Sequence, residues 1–130
     1  MATWKSFEEI EVWQTARLLS REIYQVTGSG SFSNEYELKS QIRRASGSVM
    51  DNIAEGFERG GKGEFIQFLA IAKGSAGEVK SQLHRAHDNT FLNKTQFEKL
   101  FLMADDIGKM ISGLIEYLKK TSIKGQKYKK

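Results

Sequence analysis

Four stretches of this chain repeat apolar residues every three or four positions, and the sequence contains no proline to interrupt them. A helix turns once in about 3.6 residues, so such spacing lines apolar side chains along one face. Proline is the residue that would break the ladder of hydrogen bonds, and its absence lets each helix run long. The first stripe is Val12, Ala16, Leu19, Ile23 and Val26, and the second is Leu38, Ile42, Ala45, Val49 and Ile53. The third holds Phe65, Phe68, Leu69, Ala72, Ala76, Val79, Leu83 and Ala86. The fourth holds Phe97, Leu100, Phe101, Ala104, Ile107, Ile111, Leu114 and Leu118.

The stretches between them read as caps and breaks. Ser6 to Glu9, Asn34 to Glu37 and Thr95 to Glu98 each have capping-box spacing. Gly28-Ser29-Gly30-Ser31 makes a flexible loop, and Gly60-Gly61-Lys62-Gly63 makes the tightest break in the chain. No segment alternates as a strand does. The expected fold is all-α: an up-down-up-down antiparallel four-helix bundle, with helices over roughly residues 6–27, 34–59, 63–90 and 95–120. At 130 residues the chain suits one domain with a real core. The bundle is expected to occupy residues 1–120, and residues 121–130 a basic, disordered tail.

Two features suggest contacts beyond one bundle. Gly74 and Gly77 lie inside the third helix, where each costs about 1 kcal/mol against alanine, so a neighbouring helix is expected to approach there. Trp13, Tyr24, Ile66, Met110 and Ile115 widen the apolar faces beyond what a monomer needs, which points to a helix-lined oligomer interface.

Gln41, Arg44, Ser48, Asn52 and Glu55 also recur at helical spacing, forming a polar stripe beside the core stripe of the second helix. If the second and third helices fold back about residue 61, facing residue numbers sum to about 122. Val49 then meets Lys73, Ala45 meets Gly77, and Arg44 meets Glu78. An Arg44–Glu78 ion pair competes with a phosphate-binding role for Arg44, and is preferred because a partly buried arginine needs a partner. Gln41, Arg44, Ser48, Asn52, Glu55 and Glu78 are therefore read as a structural polar network, and Arg43 as the outward-facing cation.

The net charge of +4 is unevenly distributed. Lysines 119, 120, 124, 127, 129 and 130 lie in a stretch with no acid, while residues 1–118 carry 14 basic and 16 acidic side chains. The basicity belongs to the tail; such tails are solvated, and some bind nucleic acid. There is no cysteine, so no disulfide, thiol nucleophile or thiolate metal site exists. The N-terminal residues show no signal-peptide pattern, and no apolar run approaches the ~20 residues that span a bilayer. A cytoplasmic protein without membrane association is expected.

Chemical motifs are sparse. Gly56-Phe57-Glu58-Arg59-Gly60-Gly61-Lys62-Gly63 nearly spells a phosphate-binding loop, but Gly63 stands where a magnesium-binding hydroxyl belongs, and a helix precedes it rather than a strand. It reads as a helix–helix turn. His84, His87 and Asp88 share one turn, too few ligands for a closed zinc site. No glutamate stands three residues before a histidine, as a di-iron bundle requires. No nucleophile is placed beside a base, so no enzyme, cofactor or metal is expected.

The segments Phe7-Glu8-Glu9-Ile10-Glu11-Val12-Trp13-Gln14, Gln41-Ile42-Arg43-Arg44-Ala45, Asn52-Ile53-Ala54-Glu55-Gly56, Glu64-Phe65-Ile66-Gln67-Phe68-Leu69 and Ala72-Lys73-Gly74-Ser75 occur in an order that resembles the four-helix bundle family of 23S rRNA-intervening-sequence proteins. The resemblance covers roughly residues 7–120 and leaves out the lysine tail. It implies a left-handed up-and-down bundle, a cyclic homopentamer and a bacterial source. The similar accessory proteins of diversity-generating retroelements are pentameric and bind nucleic acid and a reverse transcriptase. Many relatives have Ser-Ile-Pro where this chain has Ser48-Val49-Met50, so its second helix should be straighter.

The leading expectation is a non-enzymatic, oligomeric RNA- or DNA-binding bundle. Arg43, Arg59, Lys62, Lys73, Lys80, Arg85, Lys119, Lys120 and Lys124 are the candidate phosphate contacts. The alternative is an interaction scaffold that docks a partner enzyme such as a reverse transcriptase, without touching nucleic acid itself.

Overall fold

A computed structural model describes residues 4–121. Its four helices are α1 (Glu11–Thr27), α2 (Tyr36–Glu58), α3 (Lys62–Asp88) and α4 (Lys94–Lys120). Short 3-10 turns at Phe7–Glu9 and Gly30–Asn34 precede α1 and α2. Each helix packs on its two neighbours around a square, α1 on α2, α2 on α3, α3 on α4 and α4 back on α1. The up-and-down bundle expected from the apolar stripes is what forms, with no strand among the described residues.

The core is those stripes. Val12, Ala16, Leu19 and Ile23 are buried on α1, and the whole Leu38–Ile42–Ala45–Val49–Ile53 set on α2. Phe32 from the α1–α2 loop stacks on Phe91 from the α3–α4 loop with ring centroids 5.4 Å apart, so those two loops close one end of the bundle. At the other end Lys62 donates to the Thr121 carbonyl at 2.8 Å, fastening the α2–α3 turn to the end of α4.

The helix starts differ from the expected caps. Ser6 makes no side-chain cap, and residues 7–9 turn as a 3-10 segment before α1 begins. Glu35, not Asn34, caps α2 by accepting from the Leu38 N–H at 3.3 Å. Asn93 and Gln96, not Thr95 and Glu98, form the capping box of α4. Several residues in each stretch carry the required oxygens, and the angle at which the chain enters the bundle selects among them.

The α2–α3 turn is a helix hairpin, as its near-phosphate-loop sequence was read. Gly60 takes a φ of +87°, a left-handed conformation that ends α2 at low steric cost. Phe57 packs edge-on against Phe65 at 6.0 Å, Ser48 meets Ser75, and Gln41 meets Arg85, so the register folds about residue 61. The close helix approach falls at Gly56, where an added Cβ would lie 2.6 Å from Phe68 Cβ. Gly74 and Gly77 are exposed, with nothing of this chain within 4 Å of an added Cβ, so the neighbour expected there is not an intramolecular helix. Four of the five residues read as surplus apolar surface find places within the bundle, whereas Tyr24 stays half exposed. Trp13 is buried against Phe7, and Ile66, Met110 and Ile115 are partly buried against the core.

Gly56→Ala should destabilise the fold by about 1–3 kcal/mol in urea titration, since overpacking at Phe68 Cβ outweighs the gain in helix propensity. Gly113→Ala, in open space on α4, should stabilise by up to ~1 kcal/mol. Equal effects at the two positions would refute the close approach.

Candidate nucleic-acid interface

The expected phosphate contacts do not form one patch. They separate by the chemistry of their partners. Arg59 bonds the Glu55 carboxylate at 3.0 Å and lies 3.6 Å from that of Glu64. Lys80 donates to Asp105 at 2.9 Å, and Lys109 pairs with the same carboxylate at 3.2 Å. Lys119 lies 3.7 Å from Glu116. Each of these cations has a carboxylate partner, although Lys80 and Lys109 share one. Lys73 lies with Lys80 and Lys109 on an open α3–α4 groove, around Asp105. Lys62 holds the Thr121 carbonyl and Arg85 the Gln41 side chain at 2.9 Å, so both bridge elements of the bundle. Lys120 is exposed at the end of α4, and Lys124 lies outside the described residues.

Arg43 is expected to point outward, and it does so only in part. Its Nε donates to Thr27 Oγ1 at 2.9 Å and its Nη2 to the Tyr24 carbonyl at 3.3 Å. It thus satisfies the C-terminal end of α1, where a cation complements the helix dipole. Its guanidinium also lies 4.2 Å from the centre of the Tyr24 ring. Arg44 does not pair with Glu78. It donates to the Ser40 hydroxyl one turn back, because it sits on the outer face of α2 and away from the α2–α3 seam.

The polar stripe of α2 therefore divides. Ser48 and Asn52 face the seam: Ser48 bonds Ser75 at 2.9 Å, and Asn52 donates to the Ser48 hydroxyl at 2.9 Å and its carbonyl at 2.8 Å. Gln41 joins the seam through Arg85. Glu55 faces outward to Arg59, and Glu78 is exposed on α3. Ser75 and Gln82 are the buried polar residues of α3 that the sequence alone did not single out.

One basic cluster emerges at the α1–α2 end. Tyr24, Tyr36, Lys39, Ser40, Arg43 and Arg44 line an open depression of about 410 Å³, with no carboxylate among them. Lys39 donates to the Ser33 carbonyl at 3.0 Å and lies 5.2 Å from the centre of the Tyr36 ring. Lys39, Arg43 and Arg44 thus bond neutral oxygens only, which leaves three positive charges uncompensated in one place. Tyr36 is 70% exposed and Tyr24 50%. Sequence reasoning chose only Arg43 of these as a phosphate contact, and placed Arg44 in the structural network and Tyr24 at an oligomer interface; the pairs Lys39/Arg43 and Ser40/Arg44, each one turn apart, were the available signal.

The histidines sit elsewhere, over α4. His87 stacks on Phe97 at 4.9 Å, and His84 lies within 5.3 Å of both Phe97 and Phe101. Among the described residues no group of three or more histidine or acidic side chains is placed to hold a metal ion, and no helix is long and apolar enough to cross a membrane.

The sequence model of the family described as 23S rRNA-intervening sequence protein matches residues 8–113. The chain belongs to that family. The family match extends from the turn before α1 into the last turns of α4, so it covers the cluster and the α2–α3 seam. A solved structure described as a protein of unknown function from the S23 ribosomal protein family of Bacteroides thetaiotaomicron is similar, with a TM-score of 0.72 and 21% identity. The alignment covers 81% of this chain and 95% of that one, and shows the shared fold. A search of curated proteins finds no match.

Asp105 supplies a pH test of the charge partition. Hydrogen bonds from Lys80 and Lys109 hold its carboxyl below the usual aspartate range. A lowered folded value means stability that is present above the unfolded pKa of about 4 and lost as pH falls through the folded value. Thermal melts from pH 6 to 2 should therefore show a decline below pH ~4 that is shallower in Asp105→Asn. Identical acid limbs would show that the triad contributes nothing.

Proposed function

We propose that this 23S rRNA-intervening sequence family protein is a non-enzymatic, oligomeric bundle of the bacterial cytoplasm that binds nucleic acid through the phosphate backbone. The observation that carries this reading is the cluster of Lys39, Arg43 and Arg44, whose hydrogen bonds all go to neutral oxygens in a depression without a carboxylate. Cations already neutralised by Asp or Glu gain little from a phosphate, because an existing pair must be broken. Uncompensated cations gain the full interaction and release the counterions of the nucleic acid.

Assembly strengthens such a site. One protomer offers three cations, and a ring of them offers many at fixed spacing, raising avidity without new contacts. The exposed glycines 74 and 77 of α3, beside the half-exposed Ile71, leave a flat face that admits a second copy's helix. The homopentamer implied by family resemblance is the assembly we propose.

Filter binding against 23S rRNA fragments should show association at 50 mM salt that weakens steeply by 200 mM. Lys39→Ala with Arg44→Ala should reduce the log–log salt slope by about 1.4, roughly 0.7 for each lost contact on a single strand. No binding at low salt would reject the reading. Gly77→Leu should lower the assembled mass in sedimentation without loss of helicity, and a wild-type chain that sediments as a monomer would remove the avidity argument.

A further inference from the structure

We infer that the α1–α2 cluster takes unpaired nucleotides, with their bases stacked on Tyr36 and Tyr24, in preference to duplex. This rests on the nucleic-acid-binding reading above and names the form of its ligand.

Folding buries nearly every large aromatic ring of the described chain at least in part. Phe32, Phe57 and Phe65 are fully enclosed, and Trp13 almost so. Tyr36 and Tyr24 are the exceptions, and they are not scattered singly over the surface. They come from different helices, Tyr24 near the end of α1 and Tyr36 at the first residue of α2, yet they line one depression. Single exposed apolar residues are ordinary, but two exposed rings meeting three uncompensated cations is a composition with a recognisable use.

The rings are held by their neighbours. Arg43, itself fixed to Thr27 and the Tyr24 carbonyl, lies over the Tyr24 ring, and Lys39, fixed to the Ser33 carbonyl, lies over that of Tyr36. A cation over one face orients the ring and leaves the other for a ligand. Tyr36 has that other face in water, since 70% of the residue is exposed. Arg44, on the outer face of α2 and bonded to Ser40, completes the rim.

This arrangement suits a single strand. Every base has a π-face, so stacking on tyrosine tolerates any sequence, while lysine and arginine follow the backbone between stacked bases. A duplex hides its bases in its own stack, and an A-form helix has a major groove too deep and narrow for such side chains to read. A paired ligand would use the cations and leave the tyrosines idle. Because stacking tolerates every base, the expected specificity is for unpaired structure.

The test is fluorescence anisotropy with the intact protein at low salt and four labelled probes. These are an RNA strand, the DNA strand of the same sequence, the corresponding duplex, and an abasic strand with the same number of phosphates. The two base-bearing single strands should bind about tenfold or more tighter than the duplex and the abasic strand. Tyr36→Ala should lower single-strand affinity about tenfold without changing the salt slope, and Tyr36→Trp should restore it. Tyr36 is largely exposed, so circular dichroism should report an unchanged fold. Equal affinity for single strand, duplex and abasic strand, or a Tyr36→Ala variant that binds as the wild type does, would overturn the stacking inference while leaving backbone binding in place. Failure of all four probes to bind at low salt would overturn both.

Discussion

The seam between α2 and α3 is the contact on which the rest of this molecule depends. Gly56 lets the Phe65–Phe68 turn of α3 sit against the backbone of α2, and Gly60 reverses the chain four residues later in a conformation that glycine adopts readily. Together they fix how far apart and in what register the two helices run. Ser48 and Ser75 meet only in that register, while Asn52 holds the Ser48 hydroxyl from one turn along α2. α1 and α4 then close the square on a pair whose geometry is already set.

That geometry also sorts the charges. A bundle of this size has enough carboxylates to neutralise most of its cations, and packing determines which are reached. Lys80 and Lys109 converge on Asp105, and Arg59 lies between Glu55 and Glu64. At the α1–α2 end the nearby acid Glu35 accepts from the Leu38 N–H that opens α2, while Lys39, Arg43 and Arg44 meet carbonyls and hydroxyls. The positive surface therefore results from how the helix ends are capped, and its position is not visible in the net charge.

The apolar stripes were legible because burial imposes the helical period on the sequence itself, and all four predicted helices formed along those stripes. The exact helix starts were not, because α1 opens without a side-chain cap, and Asn34 and Thr95 lie beside the residues that do cap, Glu35 and Asn93, so tertiary entry angles decide between them. The polar stripe of α2 was legible as a stripe but not as a function. Its spacing wraps far enough round the helix for Ser48 to face the seam while Arg44 faces water, so a pairing drawn for one failed for the other. Gly74 and Gly77 were correctly seen as helical glycines, yet the close approach belongs to Gly56, whose need shows only once Phe68 is opposite it. Tyr24 joins Tyr36 across a loop, and no periodicity within one helix could have brought them together.

The central claim is that the uncompensated cluster, rather than the paired lysines or the tail, meets the ligand. Lysine acetylation footprinting by mass spectrometry, with and without a single-stranded 23S rRNA fragment at low salt, measures this side chain by side chain. Lys39 should become strongly protected, while Lys73 and Lys109 on the α3–α4 groove and Lys120 at the end of α4 keep their reactivity. Protection centred on Lys73, Lys109 or Lys120, with Lys39 still reactive, would contradict the account.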